Sequence, residues 1–198
     1  MGTVKSLLLG MYFVLGACTS QTSTVQTTEK GTQWEWQNGT IVVKTPERPA
    51  GQKSVLGLTT PKLEAVRVGF VGLGMRGPGA VERFTYIPGT QVVALCDYEE
   101  ARADKCQELL KKASMPKAAV YSGDKGYEEL CKRDDIDLVY IAADWLHHFP
   151  VAKCALENGK NVAIEVPSAM NLQECWDLIN LSESTRKHCF ILENCCYD

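Results

Sequence analysis

The chain has 198 residues, of which 45% are hydrophobic and 23% are charged, and its formal net charge is −3. These values are typical of a soluble globular domain, and the length is sufficient for one full hydrophobic core. The mild acidity gives no basic surface for nucleic acid, and no run of like charges predicts a polybasic membrane patch.

The first 18 residues predict an export signal. Lys5 precedes a nine-residue apolar run, Leu7 to Leu15, which is shorter than the about 20 residues of a membrane-spanning helix. The run leads into Leu-Gly-Ala-Cys at 15–18, the pattern of a bacterial lipobox, so we expect lipidation at Cys18. An ordinary secretory signal with a chance cysteine is the alternative. We therefore expect an exported protein of the periplasm or outer membrane, attached to the membrane by its lipid anchor only.

Residues 19–64 predict a polar tether followed by an N-terminal arm. Residues 19–33 are rich in Thr, Ser and Gln and have almost nothing apolar to bury. Beyond Cys18, eight cysteines remain, without a CxxC pair that would predict a zinc site. We expect no metal site and mostly buried thiols, with a disulfide framework as the alternative.

From residue 65 to residue 198 the pattern predicts a single Rossmann domain. Short β-branched runs alternate with helical segments, as in a parallel sheet that is buried on both faces. Such repetition implies right-handed βαβ units and an α/β, Rossmann-type doubly wound parallel sheet. The predicted strands are 66–71, 91–96, 119–121, 137–142, 161–166 and 189–192.

Helix ends are readable at several positions. Pro78 suits the first turn of the first helix, where its missing N–H is harmless. A helix over 151–158 is expected to begin after Pro150 and to stop at Gly159. Asn171 and Glu174 resemble a capping box that opens a helix over 172–186.

The most informative motif directly follows the first strand. Gly72, Gly74 and Gly77 fit G-x-G-x-x-G at the point where the first helix opens. The three glycines would permit the tight turn, the approach of a pyrophosphate and close helix–strand packing, respectively. The helix N-terminus would present free N–H groups to the phosphates. The motif in this context predicts dinucleotide binding, and the alternative is a Rossmann-like fold that has lost its cofactor.

Asp97 predicts which dinucleotide is bound. It ends the second strand, 20 residues after Gly77, where an acidic side chain accepts hydrogen bonds from the adenosine ribose. A carboxylate there would repel a 2′-phosphate, which favours NAD over NADP. Arg76 tempers this preference because a nearby arginine can pair with that phosphate.

Two further loops follow strands four and five. The first contains Trp145, Leu146 and the pair His147 and His148. The histidines are candidates for a base or for metal ligands, but no third ligand lies nearby, and at least one of them is expected only to help start the helix at Pro150. The loop after strand five begins with Glu165-Val166-Pro167, and Asn194 follows strand six.

These residues resemble the glucose–fructose oxidoreductase, inositol dehydrogenase and MocA superfamily. Its members carry Glu-Lys-Pro after the fifth strand, and the lysine assists oxidation of a sugar hydroxyl. Here Val166 stands in the place of that lysine, and valine cannot move a proton.

The chain from residue 66 onward resembles one branch more closely, glycoside hydrolase family 109. The motifs that carry this resemblance are GLGMRGPGAVERF, ALCDYEEAR, AADWLHHFPV, NVAIEVPSAMN and ILENCCYD. The resemblance implies NAD contacts at Met75, Arg76, Asp97, Trp145, Leu146, His147, His148, Glu165, Val166 and Asn194.

The resemblance also implies an activity. Members of this branch are α-N-acetylgalactosaminidases, which oxidise the sugar at C3 with NAD, eliminate the C1 substituent, add water and return the hydride without net redox change. Their substrates are glycans or glycoconjugates with terminal α-linked N-acetylgalactosamine, and a homo-oligomer is compatible with the sequence.

The resemblance further implies a second α/β domain with the catalytic residues. That domain is missing from these 198 residues, so we expect an N-terminal fragment that is inactive alone. A sugar or polyol dehydrogenase of the same superfamily and a non-catalytic NAD-binding lipoprotein are the alternatives.

Overall fold

The computed structural model describes residues 26–27 and 33–196. The predicted signal sequence and Cys18 lie outside the described residues. The chain forms two compact units, one ending at Lys44 and one beginning at Thr45.

The first unit contains a small antiparallel sheet. Its strands are β1 (Gln26–Thr27), β2 (Gln33–Gln37) and β3 (Thr40–Val43), in the order β1-β2-β3. Asn38 and Gly39, with φ of 50° and 79°, form the two-residue turn between β2 and β3. Two positive φ values are what a tight hairpin of this type requires, and Asn-Gly is the sequence that adopts them most readily.

The second unit contains a six-stranded parallel sheet. Its strands in chain order are β4 (Val66–Val71), β5 (Thr90–Asp97), β6 (Ala119–Ser122), β7 (Leu138–Ile141), β8 (Asn161–Ile164) and β9 (Cys189–Ile191). The spatial order is β6-β5-β4-β7-β8-β9. Counted within this sheet the order is 3-2-1-4-5-6, which confirms the predicted Rossmann-type fold.

Helices cover both faces of the sheet. They are α1 (Gly77–Phe84), α2 (Glu100–Lys112), α3 (Gly126–Cys131), α4 (Trp145–Glu157) and α5 (Leu172–Thr185), followed by a 3-10 turn at Asn194–Cys196. One core cluster joins Phe70 and Leu95 to Leu110 of α2, and the other joins Ile141 and Ile164 to Leu156 of α4. The sheet therefore has the three-layer arrangement of a doubly wound domain.

The start of α4 differs from the prediction. The helix begins at Trp145 rather than after Pro150, and the Asp144 side chain caps it by accepting from the Leu146 N–H at 3.0 Å. Pro150 lies in the second turn, where its missing N–H removes a single hydrogen bond, the one to the Leu146 carbonyl. The predicted end is confirmed, since α4 stops at Glu157 and Gly159 has a φ of 72°.

The caps of α5 and α1 follow the sequence signals. The Asn171 side chain accepts from the Glu174 N–H at 3.0 Å, and the Glu174 carboxylate accepts from the Met170 N–H at 2.8 Å. Pro78 lies in the first turn of α1, as predicted.

The segment that precedes β4 is fastened to α5. Arg48 donates to the two Glu183 carboxylate oxygens at 2.7 and 2.9 Å, and Gln52 donates to one of them at 2.8 Å. The hydrogen bond from Arg48 holds the pKa of Glu183 below its usual range. Arg186 adds a hydrogen bond to the Lys53 carbonyl at 2.7 Å.

The seven cysteines whose side chains the structure describes are free thiols. Cys96, Cys106 and Cys131 are buried, as predicted, whereas Cys175 and Cys195 are exposed. Cys154 and Cys189 are partly buried, so five of these seven thiols are at least partly removed from solvent.

Candidate cofactor site

A cavity of about 790 Å³ opens at the carboxyl ends of the parallel strands. Ligands bind at this edge in doubly wound folds, where the strand order reverses. Here the order reverses at β4, which pairs with β5 on one side and with β7 on the other. Ten of the thirteen residues predicted to hold the cofactor line this cavity: Gly72, Gly74, Met75, Arg76, Asp97, Trp145, His147, His148, Glu165 and Val166.

The glycine-rich loop leaves space where a phosphate group is expected. A Cβ added at Gly72, whose φ is +91°, would lie 2.3 Å from the Ala143 backbone nitrogen. A Cβ at Gly77 would lie 2.0 Å from the Gly72 carbonyl oxygen. These two glycines are therefore required by the turn and by close packing. Gly74 differs, because its Cβ would meet only the Arg102 guanidinium, at 3.6 Å. Its open side faces the cavity.

Asp97 sits at the end of β5 and is almost fully buried. One carboxylate oxygen accepts from the Leu73 N–H at 2.6 Å, and the other accepts from the Glu99 N–H at 3.0 Å and from Arg102 at 3.3 Å. The carboxylate therefore ties the glycine-rich loop to the start of α2. It lies in the cavity wall, paired with the Arg102 guanidinium, and its contact with the ribose stays a prediction.

Sequence reasoning missed one side of the cavity. Tyr98, Arg102, Gly123, Asp124 and Tyr127 also line it. Tyr98 directly follows Asp97, and the last three come from the loop and helix after β6, a strand end at which no site residue was predicted. The rule that ligands bind at the carboxyl ends of all neighbouring strands would have indicated that loop.

The two histidines have different environments. His147 is about half exposed, and its Nδ1 lies 2.6 Å from an Asp144 oxygen. Partial burial alone would raise the pKa of Asp144, but the hydrogen bonds from His147 and Leu146 outweigh it and lower that pKa. These contacts complete the N-terminal cap of α4.

His148 is fully buried in the first turns of α4. Its Nδ1 lies 2.7 Å from the Pro167 carbonyl oxygen, which fixes that nitrogen as the donor. Its Nε2 is a buried acceptor without a hydrogen-bond partner among the described residues. A group of this kind on a cavity wall is suited to a ligand that donates a hydrogen bond.

Glu165 and Val166 follow β8 at the opposite wall. The Tyr140 hydroxyl donates to Glu165 at 2.8 Å. Burial, together with this hydrogen bond, raises the pKa of Tyr140 to about 12, so it remains a donor at neutral pH. Val166 is 41% exposed and precedes a cis bond to Pro167. An apolar side chain thus occupies the position at which the resemblance expects a lysine.

Three predicted site residues lie outside the cavity wall. Gly77 packs beneath the loop, Leu146 points to solvent with 74% of its surface exposed, and Asn194 is exposed in the 3-10 turn after β9. Their contact with a cofactor stays a prediction. Among the described residues no group of three His, Cys, Asp or Glu side chains could hold a metal ion. In the same part of the chain no helix has the length and hydropathy to cross a membrane.

The fold and the cavity define a dinucleotide-binding Rossmann domain. The sequence profile of the family described as "Oxidoreductase family, NAD-binding Rossmann fold" matches residues 66–192. The chain belongs to this glucose–fructose oxidoreductase, inositol dehydrogenase and MocA family, and NAD is its cofactor.

Curated relatives confirm the resemblance to glycoside hydrolase family 109. "Glycosyl hydrolase family 109 protein 4" of Phocaeicola vulgatus is 80% identical over 199 residues, which cover 100% of this chain and 39% of the relative. "Glycosyl hydrolase family 109 protein 1" of Bacteroides thetaiotaomicron is 58% identical over 98% of this chain and 41% of its own length. The chain thus spans about two fifths of these relatives, and its described residues contain the Rossmann domain without the second α/β domain.

Solved structures share the fold. Biliverdin reductase from Synechocystis, in complex with biliverdin and NADP⁺, aligns with a TM-score of 0.55 at 27% identity over 64% of this chain and 37% of its own. Myo-inositol dehydrogenase from Lactobacillus casei, in complex with NAD(H) and myo-inositol, aligns with a TM-score of 0.53 at 25% identity over 61% and 34%.

Proposed function

We propose that this chain is the cofactor-binding half of an NAD-dependent glycosidase that removes terminal α-linked N-acetylgalactosamine. The observation that carries the proposal is a contrast within one cavity. The residues around Gly74, Asp97 and His148 are suited to a dinucleotide, whereas Val166 occupies the position of the lysine that a dehydrogenase of this family uses. The family 109 names of relatives as similar as 80% support the same conclusion.

The described residues fit NAD. A cavity of about 790 Å³ is large enough for a ligand of cofactor size. Gly74 leaves room for the pyrophosphate beside the N-terminus of α1, where free N–H groups favour an anion. The buried, unpartnered Nε2 of His148 supplies an acceptor for a hydroxyl or carboxamide donor.

When bound, NAD supplies a reversible hydride acceptor for the C3 hydroxyl of the sugar. The residues of this chain hold and orient it. We expect Asp97 to border the adenosine ribose, and Glu165, fixed by Tyr140, borders the opposite wall. Val166 places an apolar side chain where the resemblance expects a proton-transferring lysine, so we expect the proton-transferring groups outside these 198 residues.

The export prediction extends the proposal. We infer that Cys18 carries a lipid anchor and that the protein acts in the periplasm or at the outer membrane on glycans there. Lipidation and export concern residues that the structure does not describe, and their support is the apolar run and lipobox pattern of the sequence.

A sugar or polyol dehydrogenase is the second candidate, because one similar structure is a myo-inositol dehydrogenase in complex with NAD(H) and myo-inositol. The two functions differ in cofactor use. A dehydrogenase consumes one free NAD per product, whereas the proposed glycosidase needs NAD only in catalytic amount.

The test joins residues 1–198 to the remaining part of the 80% identical P. vulgatus relative. We expect this chimera to release p-nitrophenol from p-nitrophenyl α-N-acetylgalactosaminide. NADH, followed by its absorbance at 340 nm, should not accumulate. The 198-residue chain alone is the matched control and should be inactive. NADH produced in proportion to consumed sugar would favour the dehydrogenase, and turnover by the chain alone would contradict the assignment of the catalytic groups to the missing part.

A further inference from the structure

Arg102 lies in the first turn of α2, with its guanidinium at the cavity wall. One terminal nitrogen of the guanidinium lies 3.3 Å from an Asp97 oxygen, and the other lies 3.1 Å from a Glu99 oxygen. The side chain is 42% exposed. It is therefore fixed in direction but still has surface available to a ligand.

The same guanidinium borders the open side of the glycine-rich loop. A Cβ built on Gly74 would lie 3.6 Å from its Nη1 atom. Gly74, Asp97 and Arg102 thus surround one end of the cavity, the end at which a Rossmann fold holds the adenosine half of a dinucleotide.

The charge at this end is not that of an isolated carboxylate. Both Asp97 oxygens accept hydrogen bonds, one from the Leu73 N–H and the other from the Glu99 N–H and from Arg102. A carboxylate paired in this way repels a neighbouring phosphate less than a free one does. Arginine is also the side chain best suited to phosphate, because its planar fork can donate two hydrogen bonds at once.

We propose that Arg102 is a specificity-determining residue of the cofactor site, which lets this domain bind NADP in addition to NAD. When a 2′-phosphate is present, Arg102 pairs with it beside Asp97. When it is absent, Arg102 stays with Asp97 and Glu99. This inference rests on the proposed cofactor site, and it assigns to Arg102 the role that the sequence suggested for Arg76.

Calorimetric titration of the full chain with NAD and with NADP tests the proposal. We expect wild-type protein to bind both cofactors. Arg102→Ala should lower the affinity for NADP by about tenfold or more, the loss expected for a charge-assisted hydrogen bond. NAD affinity should change by less than about threefold, because NAD lacks the phosphate. The NADP affinity of Arg102→Lys, which keeps the charge without the planar fork, should lie between those of wild type and Arg102→Ala.

Lys105→Ala is the matched control, since it removes one exposed positive charge from the same helix without touching the cavity. It should leave the NADP/NAD ratio unchanged. Wild-type binding of NADP should also weaken with added salt more steeply than that of Arg102→Ala. Failure of the wild type to bind NADP while it binds NAD would overturn the inference alone, as would equal losses for both cofactors in Arg102→Ala. Absence of binding of either cofactor would instead contradict the cofactor site itself.

Discussion

The Tyr140 hydroxyl donates a 2.8 Å hydrogen bond to the Glu165 carboxylate and so links the aromatic core to the cofactor cavity. The Tyr140 ring stacks on Phe70, with centroids 5.1 Å apart, and contacts the edge of Phe84. The core therefore fixes the direction of the hydroxyl, and the hydroxyl fixes one oxygen of Glu165.

Tyr140→Phe removes this hydrogen bond and keeps the ring. We expect the melting temperature to stay nearly unchanged and NAD affinity to fall by about tenfold, because Glu165 loses its fixed orientation. In a Glu165→Ala background the same substitution should cost nothing further. Calorimetric titration of the four proteins checks this. Equal losses in both backgrounds would show that Tyr140 acts through the core instead.

A substitution at Gly74 is expected to affect cofactor binding without affecting folding. Gly74→Val should leave the fold intact, because a Cβ there meets only the end of Arg102 at 3.6 Å, and should abolish detectable NAD binding by filling the space for the pyrophosphate. Gly79→Ala, in α1 and outside the cavity, is the matched control and should bind NAD normally. Unchanged NAD affinity in Gly74→Val would show that the phosphates lie elsewhere.

The sequence predicts best those parts of the site whose contacts join residues close together along the chain. Gly72, Gly77 and the start of α1 are local, and their roles follow from a six-residue motif. The position of Asp97 follows from the standard length of one βα unit. The contact between Tyr140 and Glu165 depends on the register of β7 and β8, which pairs Tyr140 with Ala163 and leaves Glu165 two residues further along the same face.

The start of α4 shows the limit of a local rule. Pro150 predicts a helix start because proline suits a first turn. The helix instead begins five residues before Pro150, and the Asp144 side chain caps it. Asp144 is a common N-cap residue and was the signal that could have shown this. Arg102 was missed although it lies only five residues after Asp97, and Tyr127 was missed because no site residue was predicted after β6.

The ion pair between Arg67 and Asp137 predicts a dependence of stability on pH. Arg67 donates to the two Asp137 oxygens at 2.7 and 2.9 Å, and these hydrogen bonds lower the pKa of Asp137 although burial opposes the change. A lowered folded-state pKa stabilises the protein above the unfolded pKa of about 4, and the contribution is lost as pH falls through the folded value.

Urea unfolding midpoints measured from pH 7 down to pH 3 test this pair. We expect Asp137→Asn to be less stable than wild type at neutral pH, and the difference between the two to shrink as the solution becomes acidic. A difference that stays constant across this pH range would show that the carboxylate charge of Asp137 contributes nothing.

The lipid anchor is tested by Cys18→Ser. This variant should lose incorporation of labelled palmitate and leave the membrane fraction, because no thiol remains to bond to the lipid's glycerol group. Ser20→Ala, two residues further along, is the matched control and should still be lipidated. An unchanged membrane fraction of the Cys18→Ser variant would mean that another part of the protein holds it to the membrane.

We expect NAD bound in this cavity to serve a hydrolysis without net redox change. The most direct test is turnover of the α-N-acetylgalactosaminide in D₂O by the chimera, with the released sugar analysed by mass spectrometry and NMR. We expect deuterium at C2, since the C2 proton is removed and replaced during elimination and water addition, and the original hydrogen at C3. Released sugar with ordinary hydrogen at C2 would contradict this mechanism.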